Sequence, residues 1–289
     1  MNILKDSKII FPIAILISIL LPAWSSAMKP LLVPSLVVMM TFALKRTCVK
    51  GFLGFKRINI ALMTLNLVIF SGLILLVSWL LVGDLDYRNG LMVYALMPPA
   101  IGIISLTFLL KGDMEASFRT EFTSYMLSLA TVPLLSLLFF GNAISPWKLL
   151  YILLLVIVLP FILARVLHEL EKRKIMRLPI EQEVINVCYG VSFYIMIGVN
   201  MPTIISDWRA LIGLTVLIFL MHFGSGTLAY LLTRKDKNSA LYVLFSSFKN
   251  GGAATAIIFV LFGIRATIPM AISAFMVPFF ILYLQWIYK

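Results

Sequence analysis

An apolar stretch long enough to cross a bilayer carries a lysine at its centre. The stretch covers Ser239–Gly263, and its middle reads Lys249, Asn250, Gly251, Gly252. A charge at that depth is costly, and each of two adjacent glycines lowers helix propensity by roughly 1 kcal/mol relative to alanine. We therefore predict that a membrane helix breaks here, where protein or water satisfies the freed backbone groups. The alternative is a kinked structural helix whose lysine snorkels to the interface.

A second interrupted stretch lies in the first half of the chain, over residues 89–111. It contains Pro98 and Pro99, which lack backbone N–H donors, and Gly102 follows them. The two breaks are separated by about half the chain, which is typical of carriers built from inverted repeats. The sequence predicts an all-α membrane protein with one repeat over residues 1–140 and a second over 141–289.

The composition agrees with a membrane protein, because 62% of the 289 residues are hydrophobic. A bilayer needs an apolar run of about 20 residues for each helix. Ten such runs are predicted as spans, the second of them short, at residues 9–27, 30–44, 58–82, 89–110, 114–140, 147–167, 184–205, 209–232, 239–263 and 266–287. The first run has features of a signal peptide, but its removal would unbalance the two five-helix halves, so we interpret it as a span.

The basic residues indicate the orientation of the chain in the membrane. Placing the N-terminus in the cytoplasm puts eighteen Lys and Arg on that side and five on the other, and Lys249 is the remaining one of the 24. Cytoplasmic loops carry such an excess. We predict a multi-pass cell-membrane protein with both termini in the cytoplasm, monomeric or weakly dimeric. The net charge of +12 is then explained by the bilayer, and no nucleic-acid partner is expected.

A few polar residues fall inside the predicted spans. Ser117 and Glu121 are four residues apart and share one face of the fifth span, and we expect Glu121 to be buried in the membrane. The alternative is a glutamate at the cytoplasmic end, paired with Arg119 or solvated. Asn66 is expected to bridge helices rather than bind a solute, and His222 to pack or hydrogen-bond rather than relay protons.

The remaining candidate sites are interpreted as structural. Cys48 and Cys188 have no CxxC or metal-ligand spacing, so we expect inert thiols and no metal or cofactor. Gly224 and Gly226 are expected to let two helices approach closely. His168 lies among charges in a predicted linker, Arg165–Glu183, and is expected to be solvated.

Two local motifs resemble those of the bile acid:sodium symporter family. Residues 98–113 combine the proline break with an aliphatic run that ends in Lys-Gly-Asp, and residues 245–252 end in Asn-Gly-Gly. The resemblance implies that helices four and nine are discontinuous and cross in a core, while helices one, two, six and seven form a panel. It also implies a small organic anion bound between core and panel, near the residues Pro98, Pro99, Ala100, Gly102, Asn250, Gly251 and Gly252.

The sequence departs from this family at the positions that bind sodium. The Ser-Asn pair reads Ile103 and Ile104, the glutamate of the ninth span reads Phe245, and the glutamine of the second ion site reads Lys249. Sodium prefers oxygen ligands, so neither site is expected to function. We predict that Lys249, Glu121 and Ser117 replace the sodium sites, with Lys249 and Glu121 paired and H⁺ rather than Na⁺ as coupling ion. The alternative is a structural Lys249 that hydrogen-bonds the free carbonyls of a half-helix.

The predicted function is secondary transport of a small organic anion. Alternatives are related carriers of the auxin or arsenite type, a channel, or a binding protein that does not transport. Arsenite-type relatives place a cysteine beside the proline of the fourth span, where this chain has Pro99, and auxin-type relatives repeat a proline break where it has Asn-Gly-Gly. An enzyme is not expected, since the chain has no HExxH or GxSxG motif and Glu121 is a single acid.

Overall fold

The computed structural model describes residues 4, 7–45, 56–141, 145–175 and 179–288. These residues are almost entirely helical and contain no β-strand, which confirms the predicted all-α class. The α-helices are α1 (Ser7–Leu20), α2 (Pro22–Ala27), α3 (Leu32–Lys45), α4 (Arg57–Thr64), α5 (Ser71–Leu81), α6 (Leu85–Leu96), α7 (Gly102–Leu109), α8 (Met114–Phe140), α9 (Pro146–Leu153), α10 (Leu159–Lys172), α11 (Glu181–Ser206), α12 (Trp208–Phe219), α13 (Ser225–Thr233), α14 (Ser239–Ser247), α15 (Gly251–Phe262) and α16 (Ile268–Ile287).

Among the described residues, six continuous helical stretches are long and apolar enough to cross a membrane, and they identify a multi-pass membrane protein. They fall on the third, fifth, sixth, seventh, eighth and tenth predicted spans. Their bounds are Arg57–Leu81, Met114–Phe140, Leu150–Lys172, Glu181–Ser206, Leu211–Thr233 and Arg265–Ile287.

The other four predicted spans are not single long helices. The first divides into α1 and α2, because Pro22 at the start of α2 has no N–H with which to continue the ladder of α1. The second is α3, which has 14 residues. The fourth divides into α6 and α7, and the ninth into α14 and α15. Both interruptions predicted from the sequence are therefore present.

Three of the long stretches contain a π-helical segment. These segments join α4 to α5, α9 to α10 and α12 to α13, and they cover Leu65–Phe70, Leu154–Val158 and Leu220–Gly224. Wide turns of this kind are frequent at functional sites. The first segment carries Asn66 and the third carries His222, and both side chains are buried.

Helices α1, α3, α10 and α11 pack together, with α11 against both α1 and α3, and α3 against α10. We call this group the panel. Ion pairs of a buried ammonium join three of its helices at one end. Lys45 at the end of α3 contacts Glu171 of α10 at 2.6 Å and also pairs with Glu181 of α11. The panel is thus bound together by charge as well as by apolar packing.

The half-helices α6, α7, α14 and α15 pack with α4, α5, α8, α13 and α16. We call this group the core. Gly226 allows a close approach there, since a β-carbon at this position would collide with Phe280 and with the Ser247 hydroxyl. A β-carbon at Gly224 would make ordinary contacts with Leu220 only. The expected close packing therefore applies to Gly226 and was wrong for Gly224.

The end of the molecule at which α6 begins carries a cluster of ion pairs. Arg265 contacts Asp84 at 2.7 Å, Asp86 at 3.6 Å and Asp207 at 4.0 Å. Beneath this cluster, Asn200 of α11 donates to the Thr267 hydroxyl at 3.0 Å. These contacts join the panel to the core at this end.

The remaining structural expectations concern single residues. His168 is exposed, as predicted, but the linker around it is shorter than expected, because α10 continues to Lys172 and α11 begins at Glu181. Cys188 is a free, half-buried cysteine, and Cys48 lies outside the described residues.

Candidate functional site: the crossing of two helix breaks

The two breaks lie in contact with each other. The backbone is extended at Met97 and at Phe248, the residues that directly follow α6 and α14. Pro99 and Lys249 form an isolated antiparallel bridge, and the Asn250 N–H donates to the Pro98 carbonyl at 2.8 Å. Two segments separated by half the chain therefore cross inside the protein, at the point where each loses its helical hydrogen bonds.

The carbonyls at the end of α6 are satisfied by side chains from elsewhere. The Lys249 ammonium donates to the Met97 carbonyl at 2.9 Å and to the Ser71 hydroxyl at 2.6 Å. Ser71 in turn donates to the Ala95 carbonyl at 2.7 Å. The side chain of Lys249 is buried, with 3% of the residue exposed. A cation at the C-terminal end of a half-helix is stabilised by the free carbonyls and by the helix dipole.

The carbonyls at the end of α14 have their own donors, both from π-helical segments. The amide nitrogen of Asn66 donates to the carbonyls of Phe245 and Phe248 at 2.8 and 3.0 Å. Nδ1 of His222 lies 2.9 Å from the Ser247 carbonyl; because a carbonyl only accepts, Nδ1 carries the proton. The bridging role predicted for Asn66 and the hydrogen-bonding role predicted for His222 are confirmed.

Asn250 caps the second half-helix. Its Oδ1 accepts from the Ala253 N–H at 2.9 Å, and its amide nitrogen donates to the Tyr125 hydroxyl at 2.6 Å. The Tyr125 hydroxyl in turn donates to the Pro99 carbonyl at 3.0 Å, which links Asn250 to the first break. Each end of the Asn250 amide is thus engaged within the protein, and the residue holds both breaks together.

Ser117 and Glu121 lie on the buried face of α8, as predicted. Ser117 accepts a hydrogen bond from Thr107 of α7 at 3.0 Å. Glu121 is 2% exposed, and neither of its carboxyl oxygens has a hydrogen-bond partner among the described residues. Arg119 pairs with Glu115 instead, so the solvated or Arg119-paired alternative for Glu121 was wrong.

The expected pairing of Lys249 with Glu121 is not present in the described part of the chain. The Lys249 ammonium points to the end of α6 and to Ser71, and Glu121 lines a different cavity. The physical reason is that free carbonyls at a helix terminus, together with a hydroxyl, satisfy the ammonium without a carboxylate. The structural alternative for Lys249 therefore describes its contacts.

Three of the positions matched to the sodium ligands carry apolar side chains, those of Ile103, Ile104 and Phe245. Ile103 and Phe245 are fully buried, and Ile104 borders both cavities described below. Within the described residues, no group of three or more His, Cys, Asp or Glu side chains is arranged to hold a metal ion.

A cavity of about 880 Å³ separates the crossing from the panel. This is within the range of pockets for drug-sized ligands. Of the predicted site residues, Ala100, Gly102, Lys249, Asn250, Gly251 and Gly252 line it, whereas Pro98 and Pro99 are buried behind the wall. The other lining residues are mainly aromatic and aliphatic, with polar groups at Tyr94, Ser105, Glu115, Gln182, Asn186, Tyr189, Ser192 and Ser273.

Both second half-helices begin at the cavity. Helix α7 has no side-chain cap, and residues 100–104 at its start line the wall. Helix α15 begins at Gly251 and Gly252, which are half-exposed there. A β-carbon at Gly252 would lie 2.9 Å from a Leu36 methyl group, so a larger residue here would displace the Leu36 side chain of the panel. Free N–H groups and positive dipole ends at helix N-termini favour an anion.

The described residues that line the cavity extend toward the end of the molecule at which α8 begins. The cavity reaches Glu115 at the start of α8 and Gln182 and Asn186 at the start of α11. The opposite end is the one that carries the Arg265 cluster. The cavity therefore connects the crossing with the end that carries the start of α8.

Neither a scan against protein-family models nor a search of curated proteins found a match for this chain.

The roles of three residues at the crossing were not predicted from the sequence. They are Ser71, Tyr125 and Tyr94, whose hydroxyl lies 3.4 Å from the backbone nitrogen of Lys249. Tyr125 lies one turn after Glu121 on the same helix face, and this spacing was the available signal. Ser71 and Tyr94 carry no such signal, because their partners are distant in the chain.

Proposed function

We propose that this protein is a secondary membrane carrier for an organic anion. The observation that supports the proposal is the crossing of two half-helix breaks at the inner wall of a cavity of about 880 Å³. Discontinuous helices that aim half-helix N-termini at a solute are the recurring construction of carriers. A protein that only needed structural stability would have no reason to break two spans at one point.

The proposed topology has ten spans in two inverted repeats of five, with both termini in the cytoplasm. Counting α1 with α2, α3 alone, α6 with α7 and α14 with α15 as four spans adds to the six long helical stretches. With this topology, the loops that carry most of the basic residues all lie on the cytoplasmic side. In this orientation the cavity reaches the cytoplasmic side, and the Arg265 cluster closes the external side.

The proposed solute is an anion with an apolar body. Aromatic and methionine side chains such as Phe11, Phe193 and Met196 form much of the cavity wall, and burial of apolar surface supplies affinity. The N-termini of α7 and α15 meet the negative charge. The ammonium of Lys249 adds positive potential beside them without donating to the solute directly.

Transport is proposed to be independent of sodium. The Lys249 ammonium lies among a carbonyl and a hydroxyl oxygen at the crossing, which are the hard ligands that a bound metal cation would otherwise take. Because this cation is covalently attached, it neutralises the free carbonyls without an ion from solution.

The proposal is tested in two steps on the purified protein. A thermal-shift screen of organic anions, from keto acids and pantoate to sterol conjugates, identifies a binder; at 100 times its dissociation constant it should add about 2.7 kcal/mol of stability. Counterflow of that anion is then measured in proteoliposomes. A carrier is stimulated by the same solute on the opposite side of the membrane, whereas a channel is not, and a binding protein gives no flux.

A pair of variants links this flux to the cavity. Ala43→Trp fills the cavity beside the panel and should abolish counterflow, because Ala43 lines it. Ala130→Trp adds the same volume on the exposed face of α8 and should leave counterflow intact. Equal flux in the two variants would place the transport path elsewhere.

A further inference from the structure

Glu121 is a buried carboxyl group. It is 2% exposed, and neither of its oxygens has a hydrogen-bond partner within the described part of the chain. The backbone N–H of Ile104, at the start of α7, faces it without meeting hydrogen-bond geometry. An ionised carboxylate here would lose its hydration without gaining a hydrogen bond or an opposite charge. Burial therefore favours the neutral, protonated acid.

The group borders a small cavity of about 30 Å³, separate from the large one. This is room for a water molecule. Among the described residues that line it, Tyr125 is the one polar residue apart from Glu121, and the others are Met40, Leu44, Ile104, Phe118, Phe122, Met126 and Phe161. A sodium or calcium ion needs several oxygen ligands, whereas a proton needs one.

No charged side chain among the described residues compensates Glu121. On α8 itself, Arg119 is held by Glu115, and Tyr125 donates to the Pro99 carbonyl. From α3, Lys45 is held by two glutamates beyond Leu44. From α10, Arg165 lies over the ring of Phe161 at 5.3 Å. Lys249 is bound at the end of α6.

A short route connects Glu121 with the proposed solute cavity. Ile104 and Phe118 line both cavities, so one layer of side chains separates them. Ile104 belongs to the half-helix whose start forms the solute site, and a displacement of α7 or of the panel would open the layer to water. The carboxyl group is therefore placed to gain or lose a proton when the solute site changes its exposure.

We propose that Glu121 is the proton-binding site of the carrier, and that it acts alone rather than with Lys249. This inference rests on the proposed function. In the conformation described, one carboxyl oxygen holds the proton in an O–H bond; when the layer opens, the bond breaks and the proton passes to water on that side. The carboxylate is later reprotonated from water on the other side, so that one proton accompanies one monoanion without net charge transfer.

The test needs no solute. Infrared difference spectra are recorded on the purified protein in phosphatidylcholine vesicles, between mildly acidic and mildly alkaline pH. The wild type should show the carbonyl band of a protonated carboxyl group, and the isosteric Glu121→Gln should lack it. Glu115→Gln removes an exposed carboxyl group on the same helix and should keep the band. A band that survives in Glu121→Gln, or no such band in the wild type, overturns the proposal.

A second measurement is the melting temperature as a function of pH. If folding holds a proton on Glu121 that the unfolded chain releases, stability falls as pH rises. The wild type should therefore melt at lower temperature at alkaline pH than Glu121→Gln does, and the two should converge under acidic conditions. Parallel curves would contradict the proposal. If anion counterflow is observed while Glu121 remains ionised, the proton-binding inference is overturned. The proposed carrier function is not affected by that result.

Discussion

The two breaks at the crossing are built differently. The break between α6 and α7 relies on Pro98 and Pro99, which lack N–H donors, and its carbonyls accept hydrogen bonds from Tyr125 and Lys249. The break between α14 and α15 contributes the Lys249 ammonium, the Asn250 amide and the Asn250 N–H. The first break is thus a passive acceptor, and the second supplies the polar groups that hold both. A change in the second break should damage both, and a change in the first should remain local.

Lys249→Met should have the largest effect, because it removes the donor to Met97 and to Ser71 at the same time. Hydrogen bonds to charged groups contribute roughly 1.5–3 kcal/mol each, offset in part by the desolvation cost of the ammonium, so we expect a loss of about 4 kcal/mol. Lys235→Met on the exposed loop after α13 is the control. Equal unfolding free energies of the two variants would show that the ammonium is not needed at the crossing.

Asn66→Leu should have the second-largest effect on stability, and the lost hydrogen bonds lie at the end of α14. The substitution keeps the shape but leaves the carbonyls of Phe245 and Phe248 without their donor, at roughly 1–3 kcal/mol for each buried group left unsatisfied. We expect a loss of about 3 kcal/mol in chemical unfolding. Thr64→Leu, on the exposed face of the same helix, should be close to wild type; a similar loss there would assign the effect to packing.

Asn250→Ala should cost about 2 kcal/mol, since loss of an N-cap costs roughly 0.5–2 kcal/mol and Tyr125 also loses its donor. Asn250→Ser keeps an oxygen able to cap α15 and should recover part of this. Thermal unfolding of both variants separates the cap from the Tyr125 contact. If Ser is no better than Ala, the cap contributes nothing measurable.

Pro99→Ala should have the smallest effect, about 0.4–1 kcal/mol, because it only restores conformational freedom to the unfolded chain. The Pro99 carbonyl still accepts from Tyr125. Differential scanning calorimetry is sensitive enough for this difference. A loss as large as that of Asn250→Ala would show that the proline break is not passive.

The positions of the breaks could be predicted from the sequence because they depend on local chemistry. Paired prolines and paired glycines weaken a helix wherever they occur, and both interruptions lie where these residues do. The helical class and the membrane location follow from composition in the same way. Burial of Glu121 could be predicted too, since its distance from the end of the fifth span decides its depth.

The partners at the crossing could not be predicted, because they depend on which segments meet. The sequence places Lys249 and Glu121 at similar depth and suggests an ion pair. It does not show that the ammonium is instead hydrogen-bonded to the Ser71 hydroxyl and the Met97 carbonyl. The sequence similarly suggests that the Asn250 amide binds the solute. In the structure this amide is hydrogen-bonded to Tyr125 and to the Ala253 N–H.

We propose that the Lys249 ammonium takes the place of a metal cation at the crossing of the two helix breaks. This proposal is tested most directly by initial uptake rates in proteoliposomes, for the anion selected by the thermal-shift screen, with all sodium replaced by potassium. We expect equal rates in the two salts. Uptake that stops without sodium would contradict the proposal.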